Sequence, residues 1–596
     1  MSAVPNLRIN VLTSPDRVSE FWEWLTRPGR AVVACDTETT GLDWWNPGFR
    51  IRLIQFGDAE GGWAIPFEGW PALAAGALKW CSEHRVPVVF HNGIGFDALA
   101  LRSQGIDLDW SILEDTMVWA AVSGYADQDR MLKNLAMREF GPWAGAGDRL
   151  LKTGMKNAGW GWADVPLDWK PYPLYGVVDT CITAGLWEAW ADRRKKWAGD
   201  HALEVATSRI VNNMQWNGVA TDGAYLWDQI SQHEDREEQI QEQLKALGIT
   251  NPAQNGQLEV LLKKDGYPLE EKTASGKAKL DKDVLQHIDH PAAKLVQQYR
   301  WNHRVLGTYL RPIFEGSGAV LERGTLHPGI KPIEARTGRM SVENPPMQQL
   351  PSDDPVVRRA IIGRADEDIV LSSDFGQIEL RLWGSINGDQ ALVDTIKQAD
   401  EIGGDFFVEV GKAVYGEPDF KKADPRRRQL KSTIYAKLFA GGIETAAGQA
   451  GVNVYSLVPT WKLLEQTYPS LQDLGNKLIE TRQLPGGGTE HVITSPWGRE
   501  FKVLDAGERR KLGNYVTQGS AAITLKKALV SLDAAGFGPH MMLPVHDEVL
   551  MSIPKAEAEE AKVEVAACMD AIIDAEKWGI AVTAEPGIGA NWAEAH

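Results

Sequence analysis

Cysteine is scarce in this sequence, and the few cysteines lie far apart. Among 596 residues there are four, Cys35, Cys81, Cys181 and Cys568, and no two of them form a C-x-x-C pair. A disulfide framework or a zinc cluster needs cysteines at closer and more regular spacing. The sequence therefore argues against both, and we expect the four to be small apolar residues of the interior.

Long apolar runs and a basic amino-terminal block are also absent. No window is long and apolar enough to span a bilayer, and the opening MSAVPNLRIN lacks the basic and apolar blocks of a signal peptide. The apolar content of 43% and the charged content of 24% are those of ordinary globular proteins. We therefore expect a cytoplasmic protein with no membrane partner. Several domains are expected because the chain exceeds the size of a single core.

An excess of positive charge is missing as well. The formal net charge is -17, whereas phosphate binding normally rests on basic residues. Basic clusters nevertheless occur in the C-terminal half, at VVRRA (356–360), RRRQLK (426–431), ERRK (508–511) and LKKA (525–528). Each cluster alone is typical of a solvated helix face. Together they favour a groove for a polyanion.

The pattern of strands and helices divides the chain into three parts. Strand-like runs such as AVVACD and IRLIQFG alternate with helical segments up to about residue 195, which is an α/β pattern. Charged helices follow, and beyond about residue 320 strands mix with helices again, DIVLSSD and MLPVHDEVLMSIP being the clearest strands. We predict a multidomain fold, α/β and α+β, with domains at 1–195, 196–318 and 319–596.

Acidic residues recur in three motifs of the first part. In VVACDTETTGL a buried strand leads into Asp36 and Glu38, which the two-residue period of a strand places on one side. FHNGIGFD supplies Asp97, and LYGVVDT supplies Tyr175 and Asp179 one helical turn apart. Taken singly, each motif fits a surface, a helix cap or a core. Together these hard carboxylates predict a site for Mg²⁺ or Mn²⁺.

A second set of carboxylates interrupts an apolar strand in the third part. His546, Asp547 and Glu548 break the run LPVHDEVL, and alone they fit a tight turn equally well. Far upstream, DIVLSSD predicts a strand that ends at Asp374. If the two strands are neighbours in one sheet, Asp374 and Asp547 can bridge two Mg²⁺ ions about 3.5 to 4 Å apart.

The segment RRRQLKSTIYAKLFAGG predicts a helix with a cationic and aromatic face. Arg427, Lys431 and Tyr435 recur at spacings of four, with Phe439 at the edge of that face. Such a face suits a triphosphate bound to the cations and a base stacked on the rings. Without the two aspartates, the same pattern indicates only an amphipathic helix with a basic exposed side.

The ordered motifs resemble those of proofreading DNA polymerases. Residues 30–180 resemble a DEDDy-type 3′-5′ exonuclease domain with an RNase H-like fold. The stretches around Asp374, Arg427 and Asp547 resemble motifs A, B and C of family A polymerases, the DNA polymerase I type. TGRMSVENPPMQQLP (337–351), RRKLGNYVTQGSAA (509–522) and the tail GIGANWAEAH extend this resemblance. It implies a right-hand polymerase domain, with the thumb in the middle part and fingers at about 390–480.

The resemblance also implies a role for each candidate residue. Two Mg²⁺ ions per active site, replaceable by Mn²⁺, would be held by Asp36, Glu38, Asp97 and Asp179 in the exonuclease, and by Asp374, Asp547 and the Phe375 carbonyl in the polymerase. Tyr175 would orient the attacking water, and Glu548 would lie beside the primer terminus. Nucleotide contacts would come from Arg427, Lys431, Tyr435, Phe439, Gln377 and Glu379, the last blocking a ribose 2′-hydroxyl. DNA contacts would come from Arg339, Arg510, Asn514, Gln518 and His546.

The expected partners are primer-template DNA and dNTPs, with other replisome proteins as candidates, and we expect a monomer.

Motif B departs from the family pattern, since Ile434, Tyr435 and Ala436 stand where Asn-Phe-Gly is usual, and Phe439 and Ala440 replace Tyr-Gly. The middle part lacks a long insertion, and no 5′-nuclease domain precedes the exonuclease, which resembles a bacteriophage replicative polymerase acting in the host cytoplasm.

Two alternatives stay open. A single-subunit RNA polymerase would share the second constellation but lack the exonuclease and the carboxylate at Glu379. A repair nuclease with an inactive polymerase half would keep the first constellation alone.

Overall fold

Two separate sheets carry the motifs identified above, and a helical arm is inserted between them. A computed structural model describes residues 6–269, 271–273, 276–318, 323–350, 355–473, 475–484 and 487–596. No described helix combines the length and the apolar character needed to cross a bilayer.

The first part folds around a six-stranded mixed sheet. Its strands are β1 (Arg8–Val11), β2 (Val33–Thr39), β3 (Ile51–Asp58), β4 (Gly61–Pro66), β5 (Val88–Phe90) and β6 (Leu113–Asp115). The spatial order is β1-β4-β3-β2-β5-β6, with β2 antiparallel to β3 and parallel to β5. The strands predicted in this part are therefore present, and β2 lies near the middle of the sheet.

Helices cover this sheet, and one of them approaches it closely. They are α1 (Val18–Leu25), α2 (Pro71–Glu83), α3 (Asp97–Ser103), α4 (Thr116–Ser123), α5 (Leu132–Phe140), α6 (Ala146–Ala158), α7 (Pro171–Ala189) and α8 (Ala191–Lys196). A side chain at Gly176 on α7 would begin only 2.3 Å from Gln55 Nε2 on β3. The glycine thus lets α7 lie directly on the sheet, which brings Tyr175 and Asp179 to β2.

The middle part is a helical arm that begins and ends at a two-stranded ribbon. After α9 (Ala198–Asn217), strand β7 (Val219–Asp222) pairs with β8 (Arg323–Leu326). Between them lie α10 (Gly223–Ala246), α11 (Asn255–Lys264), α12 (Lys282–Leu285), α13 (Pro291–Arg304), a π-helix (Val305–Leu310) and α14 (Arg311–Gly316). The outer end of the arm has its own small core, which includes Leu244, Leu258 and Val296.

The third part is built on a four-stranded antiparallel sheet. The first strand of this sheet along the chain is β11 (Asp368–Phe375). It is preceded by β9 (Gly329–Lys331), β10 (Ser341–Glu343) and α15 (Val356–Arg359). Six helices then form a separate lobe: α16 (Ile378–Asn387), α17 (Gln390–Glu401), α18 (Phe406–Tyr415), α19 (Arg426–Leu438), α20 (Ile443–Ala450) and α21 (Val454–Thr467), followed by the short α22 (Ser470–Asp473).

The chain returns from this lobe to complete the sheet. A ribbon of β12 (Glu480–Gln483), β13 (Thr489–Thr494) and β14 (Glu500–Val503) leads into α23 (Leu512–Ala534). Strands β15 (Met541–Val545) and β16 (Glu548–Pro554), helices α24 (Ala558–Asp570) and α25 (Ala575–Trp578), strand β17 (Ala584–Gly589) and helix α26 (Trp592–Ala595) follow. The sheet order is β15-β16-β11-β17, so the strands that end at Asp374 and begin at Glu548 are neighbours.

A buried ion cluster joins α9 to the third part. Glu204 on α9 and Lys526 on α23 have fully buried side chains, and the ammonium donates to the carboxylate over 2.6 Å. Lys526 also donates to the carbonyl of Gly338, over 2.8 Å. Arg499 lies 2.8 Å from the other carboxylate oxygen of Glu204. Helix α9 therefore packs with the third part, while the division at residues 195 and 318 remains a prediction.

We predict that Glu204→Ala lowers the free energy of unfolding by about 3–5 kcal/mol, because it leaves Lys526 as a buried cation without its carboxylate and leaves Arg499 with Asp200 as its remaining carboxylate partner. Urea denaturation of the purified variant measures the change. Glu83→Ala removes one member of the exposed pair with Lys79 and should cost about 0.5 kcal/mol or less. Equal costs for the two substitutions would contradict the assignment of the buried cluster.

Candidate active sites

The first acidic set converges at the centre of the first sheet. Asp36 and Glu38 lie on β2, Asp97 is the first residue of α3, and Tyr175 and Asp179 lie on α7. The hydroxyl of Thr37 donates to Asp97 Oδ1 over 2.5 Å, which fixes α3 against β2. All five predicted residues are thus brought together.

Burial and mutual repulsion shape the protonation of this set. Burial, followed by the neighbouring charges of Asp97 and Glu38, holds the pKa of Asp36 well above its usual range. Burial raises the pKa of Asp97 to about 6, although the Thr37 hydroxyl acts in the opposite direction. Like charges at such short range disfavour ionisation unless a cation accompanies them. The site therefore favours a bound cation.

Sequence reasoning missed a cation that lies in this set. Lys133 on α5 donates a hydrogen bond to Asp179 Oδ1, and its ammonium lies 4.8 Å from the centroid of the Tyr175 ring. Its charge lowers the pKa of Asp179, although burial of that carboxyl has the larger and opposite effect. The residue stands in LKNLA between the second and third acidic motifs. Helical spacing alone gave no reason to single it out.

The donor chemistry of this set fits a divalent cation, although the cage is not preformed. Within the described ranges, no three His, Cys, Asp or Glu side chains are arranged to hold a metal ion as they stand. Four carboxylates are nevertheless collected at one place, and oxygen donors are what Mg²⁺ and Mn²⁺ prefer. Because Lys133 engages Asp179, a metal ion at this carboxylate would compete with the lysine ammonium.

The second acidic set lies at the tight turn of a hairpin. Residues 546 and 547 connect β15 to β16, and Asp374 lies opposite Glu548 on the neighbouring strand β11. The backbone N–H of Phe375 donates to the carbonyl of Asp547 over 3.3 Å. The predicted pair of aspartates is therefore adjacent. Burial, with Asp547 as the next largest influence, raises the pKa of Asp374 to about 6.

Glu548 is engaged beneath the hairpin. Its carboxylate accepts hydrogen bonds from Ser372 Oγ and from Trp592 Nε1, the latter over 2.7 Å, and it lies 3.5 Å from His596 Nδ1. Burial alone would raise the pKa of Glu548, but the bonds from His596 and Ser372 outweigh it and the pKa is lowered. The chain terminus thus supports the hairpin from below, which the sequence did not indicate. The expected place of Glu548 beside a primer terminus stays a prediction.

One residue of the basic helix α19 is within electrostatic range of this hairpin. Burial, followed by the charge of Asp547, raises the pKa of the Tyr435 hydroxyl. The rings of Tyr435 and Phe439 stack with centroids 6.1 Å apart. Arg427 donates from Nε to Asp405 Oδ1 over 3.0 Å, and Lys431 lies 6.0 Å from the ring centroid of Phe407.

The remaining candidates lie on three other segments, before β10, at the start of α16 and near the start of α23. Arg339 forms an ion pair with Glu379, two residues that the sequence assigned to DNA and to nucleotide, respectively. Gln377 precedes α16 with a backbone φ of 52° and is exposed. Asn514 and Gln518 lie one turn apart on α23, and the exposed Arg510 precedes that helix.

His546 is exposed in the hairpin turn with φ of 58°.

Comparisons with known proteins agree with this arrangement. Residues 10–185 match the family model described as 3'-5' exonuclease. Residues 224–594, more than half of the chain, match the model of DNA polymerase family A. The chain belongs to DNA polymerase family A. It is a DNA polymerase with a 3′-5′ exonuclease domain, and proteins of both families use divalent metal ions.

Similar proteins include phage and bacterial DNA polymerases. The DNA polymerase of Mycobacterium phage D29 is 26% identical over 609 residues, covering 98% of this chain and 96% of the relative. That of Mycobacterium phage L5 is 24% identical with the same coverage of 98% and 96%. The thermostable DNA polymerase I of Thermus filiformis is 28% identical over 416 residues, which are 66% of this chain and 48% of that protein.

A solved structure shares the fold. The POL domain of Pol1 from M. smegmatis, in complex with DNA primer-template and dNTP, superposes with a TM-score of 0.76 at 19% identity, covering 98% of this chain and 100% of that one. The predicted fold class, an exonuclease domain followed by a polymerase domain, is confirmed. The family also argues against the single-subunit RNA polymerase.

We predict that Tyr435→Phe makes the polymerase reject chain terminators while it keeps normal dNTP extension. In the wild type, the Tyr435 hydroxyl would replace the missing 3′-hydroxyl of a ddNTP with a hydrogen bond of about 0.5–1.5 kcal/mol, so loss of that bond should shift the discrimination about two- to tenfold. The measurement is the kcat/KM ratio of ddNTP to dNTP for both proteins on one template. Equal ratios would show that Tyr435 does not face the sugar.

Proposed function

We propose that this polymerase extends a DNA primer by two-metal nucleotidyl transfer at Asp374 and Asp547, and that the carboxylates around Asp36 form the proofreading exonuclease site. The observation that carries the first half is the adjacency of β11 and β16, which brings two distant aspartates together beside a basic helix. The convergence of four carboxylates and Tyr175 carries the second half.

In the polymerase site, Asp374, Asp547 and the carbonyl of Phe375 would hold Mg²⁺, with Mn²⁺ as a substitute. Bound there, divalent cations would activate the primer 3′-hydroxyl and neutralise charge on the triphosphate. The protein's own task is positioning, because phosphoryl transfer needs little covalent chemistry from side chains.

Arg427 and Lys431 lie on the basic helix α19 and would bind the incoming triphosphate. Arg427 donates to Asp405, and Asp405 also caps α18 by accepting from the N–H of Val408 over 3.1 Å. An incoming triphosphate would therefore replace Asp405 as the partner of Arg427. The Asp405 carboxylate would keep its hydrogen bond from the N–H of Val408. Tyr435 and Phe439 would stack on the base and sugar.

Glu379 would exclude a ribose 2′-hydroxyl, and its ion pair with Arg339 fixes its position. Gln377 lies beside it at the start of the same helix. Arg510, Asn514, Gln518 and His546 would contact primer or template.

The thumb is assigned to the helical arm. Its loop at 272–281 would contact duplex backbone, and residues 274 and 275 of that loop lie outside the described residues.

In the exonuclease site, Asp36, Glu38, Asp97 and Asp179 would hold the metal ions, and Tyr175 would orient water. Burial, followed by the negative charge of Asp179, raises the pKa of the Tyr175 hydroxyl, so it stays protonated and serves as a hydrogen-bond donor.

The role we propose for the whole enzyme is genome replication by a bacteriophage in its host's cytoplasm, as a monomer acting on primer-template DNA and dNTPs. The similarity to two phage polymerases over 98% of the chain supports it.

Because the two sites lie in different domains, we predict that they fail independently. Asp547→Asn should lower primer extension about 10³-fold or more, since it removes a group needed in the transition state, and should leave single-strand degradation near the wild-type rate. Asp36→Ala combined with Glu38→Ala should abolish degradation and raise misincorporation while extension continues. Extension assays and single-strand digestion with labelled DNA measure both activities.

Loss of both activities in a folded single-site variant would contradict the assignment of separate sites. Extension that is absent in the wild type, with digestion intact, would support the repair nuclease with an inactive polymerase half. Unreduced digestion by the Asp36 and Glu38 double variant would show that the exonuclease site lies elsewhere.

A further inference from the structure

Lys133 brings positive charge into the exonuclease site without belonging to any of the acidic motifs. Its side chain is only 17% exposed and that of its partner Asp179 is 8% exposed. The ammonium lies over the face of Tyr175, the residue proposed to orient water. A lysine that served only to hold α5 against α7 would not need to face the reacting groups.

The surroundings of Lys133 show which charges it opposes. Its positive charge lowers the pKa of Asp36 and of Glu38, in each case against a larger rise from burial and from neighbouring carboxylates. On the other side it faces His91, whose pKa falls to about 3, first because of burial and then because of this ammonium. His91 is therefore neutral and adds no competing charge.

The present partner of Lys133 is also a proposed metal ligand. When Asp179 ligates a divalent cation, its charge is shared, and the three N–H donors of Lys133 need another acceptor. A largely buried ammonium without an anionic partner is costly. In the loaded site, the anion that arrives next to Tyr175 and Asp179 is the scissile phosphate.

We propose that Lys133 is a catalytic residue of the exonuclease, which donates a hydrogen bond to a non-bridging oxygen of the scissile phosphate once Asp179 ligates a divalent cation. This inference rests on the proposed exonuclease site. It adds a substrate contact that none of the acidic motifs supplies.

The reaction keeps Lys133 protonated throughout. The oxygen of a water molecule forms a bond to phosphorus while the bond from phosphorus to the O3′ of the preceding nucleotide breaks. One proton of the water ends on that O3′, and the remaining hydroxyl becomes part of the released nucleoside 5′-monophosphate. The positive charge of Lys133 stabilises the phosphate oxygens in the transition state, where a preorganised donor is most effective.

The test uses the full-length chain with Lys133→Met. We expect the rate of single-strand degradation at saturating Mn²⁺ to fall about 10²-fold, the scale of one lost transition-state donor. Mn²⁺ binding to the DNA-free protein, measured by electron paramagnetic resonance titration, should be unchanged or tighter because a competing cation is gone. Lys133→Arg should recover part of the rate. Primer extension by both variants should match the wild type, which shows that the polymerase part of the chain remains folded.

A matched control is Lys79→Met, on α2 at the surface, where the lysine pairs with Glu83 over 3.7 Å. It should degrade single strands at the wild-type rate. If Lys133→Met fails to fold, Lys133→Gln takes its place with the same expected result.

Two results would overturn the proposal. If Lys133 only positions Asp179, the Met variant will bind Mn²⁺ more weakly and regain the full rate at saturating metal. An unchanged rate at every Mn²⁺ concentration would also overturn it. The double variant Asp36→Ala and Glu38→Ala distinguishes failure of this inference from failure of the proposed exonuclease site. If it is inactive while Lys133→Met is fully active, this inference alone fails, whereas if it still digests DNA, the proposed site itself fails.

Discussion

Repulsion between buried carboxylates is the constraint on which both active sites depend. Each site collects acidic side chains that are pushed toward protonation: burial raises the pKa of Asp97 to about 6, and burial followed by the charge of Asp547 raises that of Asp374 to about 6. Such an arrangement is unfavourable in a protein that folds only for stability. It is explained if divalent cations and phosphate chemistry belong to these places. The sheets, the close approach of α7 at Gly176 and the chain terminus under the hairpin all hold the carboxylates in position.

Basic residues expected to contact DNA or nucleotide are paired with carboxylates. Arg427 is paired with Asp405, Arg339 with Glu379 and Lys133 with Asp179. Such local cations can be present despite the net charge of -17, which at first argues against a nucleic-acid partner. These cations are local and largely shielded from solvent, so a phosphate that bound to Arg427 or Lys133 would replace a carboxylate as well as water.

Much of this arrangement follows from the sequence because periodicity is local. The strand period placed Asp36 and Glu38 together, and the helix period did the same for Tyr175 and Asp179. The sequence alone could not show that Asp374 and Asp547 are neighbours, because that depends on the pairing of β11 with β16 in the sheet. Lys133, Asp405 and the cluster around Glu548 escaped sequence reasoning, because each depends on a contact between elements distant in the chain. No spacing rule marks such a residue.

The claim that each carboxylate set is a divalent-cation site is tested most directly by anomalous diffraction. Crystals of the wild-type protein with primer-template DNA and Mn²⁺ would be measured at the manganese absorption edge. We expect anomalous peaks at two places, one between Asp374, Asp547 and the Phe375 carbonyl, and one among Asp36, Glu38, Asp97 and Asp179. Peaks confined to other parts of the surface, or absent from either set at saturating Mn²⁺, would contradict the account.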